Sequence, residues 1–154
     1  MPRFEKSNIV ELKAFLYDSW GHDAEIESVN CDYGNESIKI SLFNPFEGVK
    51  IDFTFHVVEL ALSIKGKWHG DRKEIIGITA EADFSYLEKY LPHYSEYNED
   101  SLYLMFQMFS GDELHIVSKE VIDKLFGKTS DNEEKKKNTN YSAFANCIVI
   151  GRDI

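Results

Sequence analysis

From Ile38 to Ile64 apolar residues recur at every second position and then change phase. Ile38, Ile40 and Leu42 alternate with Lys39 and Ser41. After a break at Asn44-Pro45, Val49, Ile51, Phe53 and Phe55 alternate with Lys50, Asp52, Thr54 and His56. Val58, Leu60, Leu62 and Ile64 continue in the opposite phase. A period of two marks half-buried antiparallel strands, because successive side chains leave opposite faces of a sheet. A shift of one residue turns every apolar side chain to the other face. The slip at His56–Val57 therefore requires a bulge or a short turn. Ala24 to Tyr33 carries the same kind of slip: Ala24 and Ile26 are apolar in one phase, Val29, Cys31 and Tyr33 in the other. Gly34-Asn35 supplies the turn that follows.

The remaining elements are read from caps, breakers and apolar runs. Asn8 to Asp18 is expected as a helix capped by Asn8 with Glu11, with Ile9, Leu12, Phe15 and Leu16 on one face. Ile75, Ile76 and Ile78 make a strand. Ser85 with Glu88 opens a short helix that Pro92 stops. Leu102 to Phe109 is almost wholly apolar and reads as a central strand covered on both faces. Ser110-Gly111-Asp112 is the strongest hairpin signal, since Gly and Asp tolerate the positive φ of tight turns. Leu114 and Ile116 return inward on the next strand, and Ser118 is expected to cap a last short helix carrying Val121, Ile122, Leu125 and Phe126. The sum is an α+β domain: a twisted, mainly antiparallel sheet of about seven strands with two or three short helices. Residues 1–127 form the single domain, 128–142 a flexible polar loop, and 143–154 a C-terminal segment able to dock as a strand.

Charge narrows the function classes. The chain of 154 residues has a formal net charge of -10. Residues 1–127 carry 12 Lys+Arg against 23 Asp+Glu; the rest carry 5 against 4. The negative field thus belongs to the folded body, where it repels nucleic acid and anionic lipid and attracts basic partners. No apolar run approaches the ~18–20 residues of a membrane span, and Met1 to Lys6 lacks the apolar stretch of a secretory signal, so a cytoplasmic location is expected. Cys31 and Cys147 are read as two buried thiols, a disulfide being disfavoured in a reducing compartment.

Three segments hold chemistry-bearing side chains. Trp20-Gly21-His22-Asp23 pairs an imidazole with a carboxylate, and Trp68-His69-Gly70-Asp71 repeats the pattern in a second loop. Together they would offer four ligands to a divalent metal or a small ligand. Against that, nothing in the spacing makes the loops meet, and HExxH, EF-hand and zinc-deaminase patterns are absent; no metal or cofactor is assigned. The third segment, His93 to Asp100, mixes tyrosine and carboxylate. Tyr94, Glu96, Tyr97, Glu99 and Asp100 suit contact with a basic partner, because tyrosine gives rigid amphipathic area and carboxylates steer cationic surfaces. The plain structural reading is a solvated loop whose tyrosines fold back on the core. Glu25 and Glu27, on the outward face of the first long strand, are the next contact candidates. Neither serine nor cysteine lies in a nucleophile motif, and no glycine loop cradles phosphate, so no enzyme activity is expected.

The opening Ser19-Trp20-Gly21-His22-Asp23-Ala24-Glu25-Ile26 and the late hairpin Leu102 to Val117 around Ser110-Gly111-Asp112 resemble small acidic bacterial immunity proteins of contact-dependent and other polymorphic toxin systems. The resemblance spans residues 8 to 126. It implies a cytoplasmic, non-catalytic protein, a monomer or weak homodimer, that neutralises one cognate toxin domain by direct binding, the toxin being basic and of nuclease type. The alternatives are a metal- or ligand-binding domain built on His22, Asp23, His69 and Asp71, and an adaptor subunit.

Overall fold

The computed structural model describes residues 2–18, 23–64, 66, 74–81, 84–92 and 100–126. The elements are β1 (Arg3–Phe4), α1 (Ile9–Asp18), β2 (Glu25–Asp32), β3 (Ser37–Asn44), β4 (Val49–Ile64), β5 (Ile75–Glu81), β6 (Leu102–Met108) and β7 (Glu113–Phe126), with 3-10 turns at Lys6–Asn8 and Ser85–Lys89. Every strand pairing is antiparallel, in the order β2-β3-β4-β7-β6-β5, and β1 adds to β7. The two ends of that order meet. Glu25 bridges Glu74, the Asp23 amide donates to the Ile75 carbonyl (3.1 Å), and the Ile75 amide donates to the Ala24 carbonyl (2.8 Å). The sheet therefore curls into a barrel closed at the seam where β2 and β5 begin, which removes an open edge there.

The barrel interior is filled from every side. Ile38, Ile40, Ile51, Phe53, Phe55, Leu104, Phe106 and Ile116 are fully or almost fully buried in one cluster, which α1 joins through Leu12. Phe106 meets Phe53 and Phe55 edge-on, at 5.6 and 6.3 Å between ring centroids. Burying a side chain of this size stabilises by about 1.5–3 kcal/mol. A second, smaller cluster lies on the outside of the barrel: Leu60, Leu62, Tyr103, Met105 and Val117, covered by Phe84 and Leu87. The phase reversal in the sequence thus has a physical meaning. Before the slip β4 gives Ile51, Phe53 and Phe55 to the interior, and after it Leu60 and Leu62 go to the outer layer.

Both expected slips are present. β2 shifts register against β3 between Ile26 and Ser28, and β4 shifts against β7 between Val58 and Leu60. At the second, Val57 has φ of 55°, a left-handed value rare for a β-branched residue; the Val58 amide then reaches the Glu36 carbonyl at 2.8 Å. Gly111, at φ 92°, makes the β6–β7 turn. Gly66 packs so closely on Ser110–Asp112 that a Cβ there would overlap backbone, and its amide donates to Asp112. β6 is the central strand covered on both faces, with Leu104 and Phe106 inward and Tyr103 and Met105 outward.

Four expectations are corrected. There is one α-helix and two 3-10 turns among the described residues, fewer helices than expected. The segment opened by Ser118 is strand, not helix: β7 runs unbroken to Phe126 and pairs with β4 along its length. Tertiary pairing overrides a weak helical pattern here: without it the first half of β4 would pair with β3 alone and leave its other edge open. The caps also differ. Asn8 accepts from the Glu5 amide at 2.6 Å within the first 3-10 turn, and Phe84, not Ser85, precedes the second. Cys31 is half-buried and disulfide-bonded; the chain's other cysteine is Cys147. The two-thiol reading rested on an assumed reducing compartment, which is not a property of the chain. Residues 128–142 and 143–154 lie outside the described residues.

Candidate functional site

A connected polar cluster sits in the outer layer, on the hairpin of β6 and β7. Alternation turns Tyr103 on β6 and His115 on β7 away from the barrel interior, and the register pairs Met105 with His115, so Tyr103 and His115 are diagonal neighbours. The Tyr103 hydroxyl and His115 Nδ1 are 2.7 Å apart. His115 Nε2 lies 2.9 Å from Glu113 Oε1. The turn Ser85–Lys89 and the residue after it bring two more donors to that carboxylate: Tyr90 to Oε1 at 3.2 Å and Tyr86 to Oε2 at 3.5 Å. The rings stack as well as bond. Tyr86 and Tyr103 flank His115 nearly parallel to it, at 5.9 and 5.8 Å.

The hydrogen bonds and burial together assign the protons. A carboxylate only accepts, so His115 Nε2 carries a hydrogen. A tyrosine hydroxyl both donates and accepts, so the bond to Nδ1 suits either charge state; burial selects the neutral imidazole, in which Nδ1 accepts from Tyr103. Burial lowers the His115 pKa and outweighs the Glu113 contacts that would raise it. Burial also pushes the Tyr103 hydroxyl far up, and burial with the Glu113 charge raises Tyr90 to about 12. The tyrosines therefore stay protonated donors. Tyr103 and His115 are fully buried, whereas the Glu113 side chain keeps 17% of its exposure. Both imidazole nitrogens are engaged and closed off from solvent, so this histidine is not placed to exchange protons with a bound substrate. The exposed rim consists of Glu113, Tyr86, Tyr90 and Lys89, whose ammonium stands 4.2 Å from the Tyr86 ring centroid.

A second polar feature lies inside the barrel. Asp123 on β7 pairs with Phe53 and shares its inward face with Val121. It is fully buried, and neither carboxylate oxygen has a hydrogen-bond partner among the described residues. Burial alone pushes its pKa up to about 8. Asp52, on the opposite face of the sheet, is buried but has Lys39 Nζ 3.5 Å from one oxygen.

The residues named from sequence are dispersed. Asp100 is exposed at the entry to β6. It adjoins Ser101, whose hydroxyl donates to Glu59 at 2.7 Å, and Glu59 in turn lies 4.0 Å from Lys119. Glu25 is half-buried at the barrel seam, directly across from Glu74. Glu27 is half-buried at the β2 bulge. Asp23 is half-buried with φ of 72°, and its amide helps close the seam. Tyr94, Glu96, Tyr97 and Glu99, like His22, His69 and Asp71, lie outside the described residues. Sequence reasoning missed Tyr86, Tyr90, Tyr103, Glu113, His115 and Asp123. The signal for part of this was present: once the hairpin is centred on Ser110-Gly111-Asp112, its register sets Tyr103 beside His115.

Among the described residues no group of three or more His, Cys, Asp or Glu is placed to hold a metal ion, and no described helix is long and apolar enough to cross a membrane. No protein-family model, curated protein or solved structure matches the chain.

Proposed function

We propose that the chain is a non-catalytic binding protein that neutralises a basic, nuclease-type bacterial toxin domain by direct contact, as an immunity protein does. The observation that carries this reading is the surplus of carboxylate on a closed barrel. Residues 1–127 hold 23 acidic against 12 basic side chains, and Glu5, Glu11, Asp32, Glu47, Glu88 and Asp100 among them are exposed. A nuclease must carry positive charge to hold phosphate, and a rigid acidic surface with tyrosines imitates that ligand. Steering of this kind raises association rates by roughly 10–10³ and fades with salt. The sealed His115 supports a binding role over proton-transfer chemistry at that cluster. The proposed contact residues are Tyr94, Glu96, Tyr97, Glu99 and Asp100, with Glu25 and Glu27 on β2 as a second patch.

The test is calorimetry and stopped-flow association with the toxin domain encoded beside this gene. The expected result is nanomolar or tighter binding, inhibition at one-to-one stoichiometry, and an association rate that falls steeply as salt rises. Alanine at Glu96, Glu99 and Asp100 should slow association at low salt. Absence of a basic partner in pull-downs from the native host, or an association rate indifferent to salt, would overturn the reading.

A further inference from the structure

We propose that Tyr86, Tyr90 and Glu113 form a seat for an arginine guanidinium presented by a basic protein partner, and that Lys89 is its displaceable resident. The proposal rests on the binding role put forward above and names a contact point for it.

The Glu113 carboxylate is the first reason. Its donors are His115, Tyr90 and Tyr86, and all three are neutral groups by the proton assignment above. Three hydrogen bonds orient the carboxylate without cancelling its charge. No described cation lies within 4 Å of it, since the only ion-pair contact of Glu113 is with the neutral His115. A partly buried anion held in place by neutral donors is an incomplete pair.

Lys89 is the second, independent reason, because a cation is already held on this face. Its ammonium stands 4.2 Å from the Tyr86 ring centroid and 5.7 Å from that of Tyr90. Among the described residues its contacts are with these two rings, and it is exposed. The face accepts a cation, yet this one does not reach the carboxylate. A guanidinium would satisfy both demands at once. It stacks flat on a tyrosine face and bonds a carboxylate through two parallel N–H groups, which a point-like ammonium cannot do.

Rigidity is the third reason. Tyr86 stacks on His115 at 27° between planes, and His115 stacks on Tyr103 at 26°. The Tyr86 ring is committed to this column and also carries the Lys89 ammonium. The tyrosine hydroxyls are tied to Glu113, so the seat exists before any partner arrives and little ordering cost falls on binding. Only Lys89 must move, from an exposed position on a one-turn segment.

The test uses the whole chain and a simple probe. N-acetyl-arginine-N-methylamide is titrated at constant ionic strength and followed by NMR on the Tyr86, Tyr90 and His115 ring signals, with N-acetyl-glycine-N-methylamide as the blank. The expected result is a saturable shift at those rings with a dissociation constant on the order of millimolar, typical of a single side chain. Lys89→Ala should tighten it by about 2–5-fold by removing the competing ammonium. Glu113→Gln keeps an acceptor oxygen for His115 and Tyr90, turns the atom facing Tyr86 into a donor that a tyrosine hydroxyl can accept, removes the charge, and should weaken binding at least ~10-fold. Shifts that are linear, equal to the blank, or unchanged by both variants would overturn the proposal. This readout is independent of the toxin. A toxin that binds while the arginine probe does not moves the contact elsewhere; a probe that binds with no toxin found leaves the seat and removes the immunity role.

Discussion

Asparagine at Asp123 isolates one buried charge and makes its consequence measurable. The native carboxyl is fully buried with no partner for either oxygen among the described residues, and burial pushes its pKa from 3.8 up to about 8. In the unfolded chain it ionises near the ordinary value, so between those two limits the folded state holds a proton that the unfolded state has released. Stability contributed by the protonated form is complete below the lower limit and is lost progressively as pH rises through the window up to about 8. Each unit corresponds to about 1.4 kcal/mol. At pH 7 roughly three units of the window have been crossed, a cost on the order of 4 kcal/mol. That is a large share of the 5–15 kcal/mol by which domains are stable. Asp123→Asn keeps the shape and the two buried polar atoms but cannot ionise. Urea unfolding of both proteins from pH 4.5 to 8.5 should show near-equal stability at the acid end. The variant's advantage should then grow with pH and level off above pH ~8. Other groups titrate alike in both, so the difference curve belongs to this residue. Parallel curves across the range would show that Asp123 is hydrated or paired, and the buried-orphan argument would fail.

Two other perturbations follow from the same geometry. Val57→Gly removes a left-handed β-branched residue at φ 55°. Relief of about 1–2 kcal/mol works against the 0.5–1 kcal/mol entropy cost of glycine and against the loss of the covered part of a side chain that is 39% exposed; denaturant unfolding should show a change of less than about 1 kcal/mol, and a larger loss would mean the conformation is held without strain. Tyr103→Phe strands His115 Nδ1 in a buried site and should cost about 1–3 kcal/mol; the double change with His115→Phe should cost less than the sum, and strict additivity would deny the bond.

The alternation runs made most strands legible because one face of each is buried and the other is not. The β2 bulge was readable as well, since Val29 cannot share a face with Ile26 unless a residue is added, whereas the phase change in β4 marks apolar residues passing from the interior to the outer layer. β7 was not. Val121, Ile122, Leu125 and Phe126 fit a helical face locally, and only the partner strand β4, more than fifty residues away in sequence, decides otherwise. Barrel closure was equally hidden, because it depends on backbone bonds of Asp23, Ala24 and Ile75 that carry no side-chain signature.

The polar cluster was illegible for a related reason. It draws on the 3-10 turn, β6 and β7, and no two of its members fall in a motif. Its centre looks like catalytic apparatus: a tyrosine, a neutral histidine and a carboxylate in hydrogen-bonded sequence. Burial decides what that apparatus can do. Tyr103 and His115 have no exposure, so proton traffic through them would require the segment from Phe84 to Leu91 to lift, exposing Phe84 and Leu87, each worth about 1.5–3 kcal/mol of burial. The cluster is better suited to holding its own rim rigid. Tyr86 and Tyr90 are fixed by bonds to Glu113, and Glu113 is fixed by His115, which is fixed by Tyr103. A buried hydrogen-bonded column thus ends in two tyrosine faces and one uncancelled carboxylate at the surface. On an acidic barrel, that is the point where an approaching cationic side chain finds its partner groups already in position.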